Sequence, residues 1–362
     1  MLEDECHPLM SFQLTIEPLG ETIEVADGQR MLDACLRAGI WLPYACNHGL
    51  CGTCKVQVLE GEIEHTDEAS SFALMDVERD EGKCLACSTI LATDCVIEAD
   101  IDPEPDARNV PIHDFTARVA RIEILTPTIK GIFLEPTDGI EFQAGQYLNI
   151  RVPGVAEPRA FSIASRPQSP TLELNVRRVD GGAATTYLCE RLKVGDSVPC
   201  TGPLGRFFVR ESATEPMLFL AGGSGLSSPK SMILDLFERG ESRAVTLIYG
   251  ARNRAELYYA ELFAELAARH PNFTYIPVLS EPHETDNWRG ETGFVHDAAA
   301  RRFNGRFEGH KAYLCGPPVM IEACIRTLMQ GRLFERDIYT EKFLTAADGA
   351  QALARSPLFR RL

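Results

Sequence analysis

Cys46-Asn-His-Gly-Leu-Cys51-Gly-Thr-Cys54 is the stretch from which the rest of the chain is read. Its three cysteines belong to a wider cluster. Seven of the twelve cysteines fall between Cys35 and Cys95 (35, 46, 51, 54, 84, 87 and 95), while Cys6, Cys189, Cys200, Cys315 and Cys324 are scattered singly. The start, Met1-Leu-Glu-Asp-Glu-Cys-His, carries acids where a secretory leader carries bases, so a cytoplasmic, reducing setting is expected. There a disulfide framework is excluded, and clustered thiols are metal ligands. No apolar run nears the roughly 18 residues of a membrane span. Thirty-six basic against fifty-two acidic side chains leave a net charge of −16, which argues against a nucleic-acid groove or an anionic membrane surface. The length of 362 residues allows two or three domains.

The metal follows from the spacing. Structural zinc sites usually pair two ligands with two, whereas this loop supplies three and needs a distant fourth. A C-x4-C-x2-C run plus a remote cysteine is how four thiolates hold a plant-type [2Fe–2S] cluster. A Rieske centre needs two histidines, and His48 has no C-x2-H partner. Ala45, Gly49, Gly52 and Thr53 are small enough to let backbone amides approach the sulfurs. The fourth ligand is Cys84 or Cys87, separated from Cys54 by 29 and 32 residues respectively.

Hydrophobic periodicity organises the remainder. An alternating run at 12–17, a turn at Gly20 and a second run at 22–25 predict a hairpin; a helix is expected from Asp27 to Gly39, then strands at 55–59, 88–90 and 96–99. Three prolines and no periodicity over residues 100–114 read as a linker. Short strands at 117–125, 129–134, 147–152, 160–164 and 172–178 predict an antiparallel barrel. Beyond Pro216, strands at 217–221, 244–249, 274–277 and 311–315 alternate with helices at 229–239, 256–269 and 319–330. That alternation predicts a doubly wound parallel sheet.

Four further motifs fall on these elements. Arg159-Ala-Phe161-Ser162 follows Ala144-Gly-Gln-Tyr147 and precedes Val176-Arg177 and Gly181-Gly182-Ala-Ala-Thr185. The first tetrapeptide resembles the R-x-Y-S motif of the ferredoxin–NADP reductase superfamily. The resemblance implies FAD, with Arg159 on its phosphate, Phe161 stacked on the ring system and Ser162 near N5. Phe161 stands where Tyr is usual, so stacking survives and a phenol hydrogen bond is lost. Val176, Arg177, Gly182 and Thr185 would line the FAD pyrophosphate. Gly222-Gly223-Ser224-Gly225-Leu-Ser-Ser228-Pro229 resembles the superfamily's G-G-T-G-x-x-P, with Ser224 for Thr and the proline one residue late, leaving Ser228 in its place. Cys315-Gly316-Pro317 resembles its C-G-P, which places the thiol beside the nicotinamide. Glu341-Lys-Phe343 resembles the E-x-aromatic ending, whose ring covers the flavin.

In domain order the chain resembles the oxygenase-coupled reductases. Phe72-Ala-Leu-Met-Asp-Val-Glu-Arg-Asp-Glu and Gly250-Ala-Arg-Asn-Arg-Ala-Glu-Leu-Tyr, among other stretches, are similar to the reductase components of multicomponent phenol hydroxylases. The resemblance begins near Met10, an ordinary family start, which leaves residues 1–9 as an extension or a mis-called start. It implies a β-grasp ferredoxin domain at 10–101, a linker at 102–113, an FAD-binding barrel at 114–212, an NAD(P)H-binding domain at 213–343 and a tail at 344–362. It also favours Cys87, just before a strand, with Cys46, Cys51 and Cys54 as cluster ligands. The implied activity is electron transfer from NADH through FAD and the cluster to a separate di-iron hydroxylase; no clear basic pair for a 2′-phosphate stands out, although Arg252 and Arg254 could serve, so NADH is favoured over NADPH. The rival readings are the same relay serving toluene, methane or ring-hydroxylating oxygenases, and a redox sensor without turnover. Nine carboxylates (Glu60, Glu62, Glu64, Asp67, Glu68, Asp76, Glu78, Asp80 and Glu81) around Arg79 are a candidate docking face.

Overall fold

A computed structural model describes residues 10–45, 47, 49–66, 70–71, 73–101 and 104–343. The chain forms two compact units: one holds the chain up to Pro105 with Asn109–Ile112, the other Asp106–Arg108 with the chain from His113. The first opens with the expected hairpin, β1 (Ser11–Glu17) and β2 (Glu21–Ala26), registered Leu14 to Ile23. Helix α1 (Met31–Arg37) begins four residues later than the sequence suggests, because Gly28 takes a left-handed φ of +73° and the Gln29 N–H closes a turn onto Ala26 O at 2.9 Å. Strands β3 (Lys55–Glu60) and β4 (Ile63–His65), helix α2 (Asp76–Asp80), and strands β5 (Lys83–Leu85), β6 (Thr89–Leu91) and β7 (Cys95–Glu98) follow. Five strands form one sheet in the order β2-β1-β7-β3-β5, in which β1 and β7 are parallel, while β4 and β6 pair separately. A mixed sheet carrying α1, which buries Met31, Leu32, Ala34, Cys35 and Leu36, is the β-grasp arrangement.

The second unit begins with a barrel of β8 (His113–Ile124), β9 (Ile129–Pro136), β10 (Tyr147–Ile150), β11 (Arg159–Ser162), β12 (Leu172–Arg177), the short helix α3 (Ala183–Thr186) and β13 (Ser197–Leu204). All neighbours are antiparallel in the order β11-β10-β13-β8-β9-β12, and an Ile163–Leu174 bridge nearly closes the ring. The sequence reading missed β13. Its prolines, 199 and 203, argue against a strand, yet it lies between β10 and β8, with the Pro199 carbonyl still accepting from Arg151 N at 3.0 Å.

Next come β14 (Met217–Gly222), α4 (Ser227–Glu238), β15 (Val245–Ala251), α5 (Ala260–Arg269), β16 (Phe273–Leu279), β17 (Glu291–Thr292), α6 (Val295–Arg302), β18 (Lys311–Gly316), α7 (Pro318–Gln330) and β19 (Ile338–Lys342). The parallel sheet runs β17-β16-β15-β14-β18-β19. Strand order therefore reverses at β14, and the crevice beyond the carboxyl ends of β14 and β18 is where such sheets bind ligands. Both faces of β14 are covered, which is why Met217-Leu-Phe-Leu-Ala221 is apolar throughout and fully buried. Helix α5 starts at Ala260 instead of residue 256, because Tyr259 adopts a left-handed φ of 56° and sends its hydroxyl 2.6 Å onto the Glu173 carboxylate.

Barrel and parallel sheet meet along a polar face of α4. Lys230 Nζ lies 2.6 Å from Glu173 Oε2 and 3.1 Å from Ala164 O, and Ser231 Oγ donates to Ser165 O at 2.6 Å. Lys230 and Glu173 are 4% and 5% exposed, so this ion pair is dry. Burial pulls the lysine below its ordinary pKa, and the Glu173 charge opposes that shift. Glu173 is satisfied further by Asn175 Nδ2 at 2.7 Å. Removing one partner from such a pair strands a buried charge, at about 3–5 kcal/mol. Lys230→Met should lose that much in urea denaturation followed by circular dichroism; a loss below about 1 kcal/mol would place Glu173 in contact with water.

Candidate functional site

Two sites emerge, one in each unit. In the first, the loop before β3 carries Cys51 and Cys54, and a tight turn between β5 and β6 carries Cys87. Cys46 and His48 lie outside the described residues. Cys54 and Cys87 are in hydrogen-bond contact, and the Cys87 sulfur accepts from Gly49 N at 3.3 Å. Donation by the Cys54 thiol and by Gly49 favours the Cys87 thiolate and pushes it down to about 7, while Cys54 is pushed up by the same contact and by burial. Cys51 Sγ accepts from Thr53 N at 3.5 Å. Gly52 has a φ of +71°, and a Cβ there would stand 2.8 Å from Ala73 O, so only glycine lets the loop pass so close. Thiols of this kind, with amides aimed at their sulfurs, suit an iron–sulfur cluster. Cys84 points elsewhere. It sits on β5 opposite Val56 with no exposure, and burial pushes its thiol up to about 12, the behaviour of a packed core residue.

In the second unit, the barrel strand β11 brings Arg159 and Phe161 to a half-buried position. Among the described residues, Arg159 Nη1 meets the carbonyls of Glu157 (2.8 Å) and Pro158 (3.1 Å) and no carboxylate, which suits it to an anion. Arg177, at the end of β12, has no ion pair among the described residues, and its Nη1 would lie 3.3 Å from a Cβ on Gly223. Thr185 braces the Gly181–Gly182 turn, accepting from Val179 N (3.1 Å) and donating to Gly182 O (3.2 Å), while Val176 faces the barrel core. Two uncommitted guanidiniums, an accessible ring and a glycine turn fit a dinucleotide flavin.

The glycine turn Gly222–Gly225 lies at the carboxyl end of β14, beside Cys315-Gly316-Pro317 at the end of β18. A Cβ on Gly225 would sit 2.3 Å from Cys315 O, so the two turns touch through backbone, and one on Gly222 would sit 2.4 Å from the side-chain sulfur of Met320 on α7. Ser224 is half-buried and its carbonyl accepts from Ser227 Oγ at 2.8 Å. The late proline does not break the turn. Pro229 falls in the first turn of α4, where no N–H is missed.

One carboxylate oxygen gathers three of these side chains. Glu341 Oε2, on β19, accepts from Ser162 Oγ at 3.0 Å, from Ser228 Oγ at 2.5 Å and from Cys315 Sγ at 3.4 Å. Loss of water raises the pKa of Glu341, with the three donors opposing it, and burial raises that of Cys315. The Phe343 N–H donates to Gly316 O at 3.0 Å, tying its backbone to the same turn. Ser228 is the member that sequence reasoning missed; its displacement of a proline was the available signal. Near the end of β15, the Arg254 backbone N donates to the Asp286 carboxylate at 3.2 Å and its Nη1 to the Asp286 carbonyl at 3.1 Å, which ties this arginine to the Asp286 turn.

Fold and site together define a class: a pyridine-nucleotide-dependent flavoprotein reductase with an iron–sulfur module. Family models match in the same order, a 2Fe-2S iron-sulfur cluster binding domain over residues 14–92, an oxidoreductase FAD-binding domain over 129–209 and an oxidoreductase NAD-binding domain over 219–326. The chain is 58% identical to the phenol 2-monooxygenase reductase component DmpP of Pseudomonas sp. strain CF600, covering 98% of this chain and all of that one. It is 57% identical, over the same shares, to the phenol hydroxylase P5 protein of Acinetobacter pittii PHEA-2. The crystal structure of the Amycolatopsis reductase GcoB superposes with a TM-score of 0.82 at 36% identity, covering 92% of this chain and 98% of that one. The chain belongs to the family of oxygenase reductase components that these proteins represent.

Cys87→Ala should abolish the visible absorbance of the cluster in purified protein and leave flavin absorbance in place, whereas Cys84→Ala should keep both. The reverse pattern would make Cys84 the ligand.

Proposed function

We propose that this chain is the NADH-dependent reductase component of a multicomponent phenol hydroxylase, passing electrons through FAD and a [2Fe–2S] cluster to a separate di-iron hydroxylase in the cytoplasm. The observation that carries the reading is the convergence of Ser162, Cys315 and Glu341, from barrel, β18 and β19, on one point of the crevice, in a chain similar throughout its length to phenol hydroxylase reductases. FAD supplies acceptance of a hydride and release of single electrons, and the cluster carries one electron at a time. Everything else is the chain's own task.

Cys46, Cys51, Cys54 and Cys87 hold the cluster, and the amides of Gly49 and Thr53 stabilise charge on its sulfurs. Arg159 holds the flavin phosphate and Phe161 its ring system, and Arg177 with the Gly182–Thr185 turn holds the pyrophosphate. Gly222, Gly223 and Gly225 let the nicotinamide dinucleotide approach backbone amides, and Cys315, Gly316 and Pro317 shape the pocket for the nicotinamide ring. The Phe343 ring shuts water out of the place the nicotinamide enters. The Ser162 hydroxyl and Glu341 carboxylate position a proton where charge changes during hydride transfer. Phenol itself meets none of these residues; the partner oxidises it.

Among the described residues, no helix is long and apolar enough to cross a membrane. Next to the cluster loop, Glu60, Glu62, Glu64, Asp76, Asp80 and Glu81 are exposed, while Glu78 is held by Lys55 at 2.5 Å and Glu81 by Lys83 at 3.1 Å; Asp67 and Glu68 lie outside the described residues. This face steers the cluster onto a basic hydroxylase surface. Anaerobic titration with NADH, followed by absorbance and electron paramagnetic resonance, should bleach the flavin and produce a reduced [2Fe–2S] signal. Absence of both would leave the redox-sensor reading. Raising ionic strength from about 0.01 M to about 1 M shortens the screening length from about 30 Å to about 3 Å. Electron transfer to the hydroxylase should slow over that range while cytochrome-free NADH oxidation by dyes holds steady; a salt-independent rate removes the steering role.

A further inference from the structure

Ser228 has no solvent exposure at all, yet it is a polar residue with no part in the helix cap or the sheet. Its single hydroxyl proton is committed to Glu341 Oε2 at 2.5 Å, the shortest of the three contacts on that oxygen. Its backbone N–H is directed at the Cys315 sulfur. Both contacts exist because the proline of this turn stands at residue 229. A proline at 228 would have neither hydroxyl nor N–H.

The surroundings give this hydroxyl leverage. The groups that face the Glu341 carboxyl are Ser162 from β11, Ser228 from α4 and Cys315 from β18, and none of them carries a positive charge. On its own strand, Lys342 is turned to Glu322 at 2.7 Å, and Tyr258, which lies against Cys315, sends its hydroxyl to Gly223 O at 3.3 Å. A carboxylate removed from water with no cation nearby stays ionised only through neutral donors. Three donors on one oxygen also fix its direction.

We propose that Ser228 is a positioning residue of the hydride-transfer site, whose hydroxyl keeps Glu341 as a carboxylate with Oε2 turned toward Ser162 and Cys315. The proposal rests on the reading of Ser162, Cys315 and Glu341 as that site. A hydrogen bond to a charged acceptor contributes enough that its loss should move the protonation of Glu341 upward by about one to two pH units. The sign is set by the donor: removing a group that stabilises the ionised form makes the proton harder to lose.

The test uses flavin- and cluster-loaded full-length protein. Infrared difference spectra across a pH titration follow the protonated carboxyl band, which Glu341→Gln identifies by removing it. Ser228→Ala should raise the pH at which the band appears by about one to two units; Ser228→Cys, nearly isosteric and a weaker donor, by less; and Ser228→Thr, which keeps the hydroxyl, should return it toward wild type. The acid limb of kcat/KM for NADH should move to higher pH by the same amount as the infrared band in each variant. A band that titrates at the wild-type pH in both Ser228→Ala and Ser228→Cys overturns the proposal. An infrared shift with no shift in the pH profile, together with wild-type turnover by Glu341→Gln, overturns instead the placement of Glu341 at the hydride site.

Discussion

Lys230 and Glu173 are a charge pair enclosed between a barrel and a parallel sheet, and the geometry of the second unit follows from the need to satisfy them. A buried ammonium and a buried carboxylate tolerate one arrangement, in which each lone pair and each proton is met. Ala164 O, Asn175 and Tyr259 complete it. The requirement fixes α4 against β11 and β12, and so fixes the amino end of α4 beside the end of the barrel strand that carries Ser162. Tyr259 gives up a helical conformation to reach Glu173, which shows that the pair outranks local helix propensity.

Once α4 is placed, the carboxyl ends of β14 and β18 face the mouth of the barrel. Glycines at 222 and 225 remove the side chains that would hold the two turns apart. β19 runs alongside β18 with Glu341 opposite Cys315, so the last strand delivers its carboxylate into the same space. The site is thus a product of strand order: residues far apart in sequence meet because the order of the parallel strands reverses at β14. The cluster loop in the first unit obeys a different constraint, close approach of backbone to sulfur, for which Gly49 and Gly52 adopt left-handed φ values of 70° and 71°.

Much of this was legible in the chain. Alternation revealed β1, β2 and the barrel strands, and strand–helix alternation revealed the parallel sheet, because those patterns report burial directly. Cys51 and Cys54 stood out through their spacing, and Ser162, Cys315 and Glu341 through their resemblance to motifs of the ferredoxin–NADP reductase superfamily. What escaped was decided by distant contacts. β13 carries two prolines that argue against a strand, and it is one through neighbours on both sides. α6, Val295-His-Asp-Ala-Ala-Ala-Arg-Arg302, is too polar and too short for its periodicity to register until β14 and β15 cover it. The start of α1 hid behind a glycine turn. Ser228 looked like a flaw in a motif, and only the position of Glu341, over a hundred residues away, gives it a partner.

The Lys230–Glu173 pair also imposes an order on biosynthesis. Glu173 leaves the ribosome roughly sixty residues ahead of Lys230. At about 5–20 residues per second, the barrel strands wait about 3–12 s with a carboxylate on β12 whose counterion has not been made. During that interval the Glu173 carboxylate has no Lys230 to pair with.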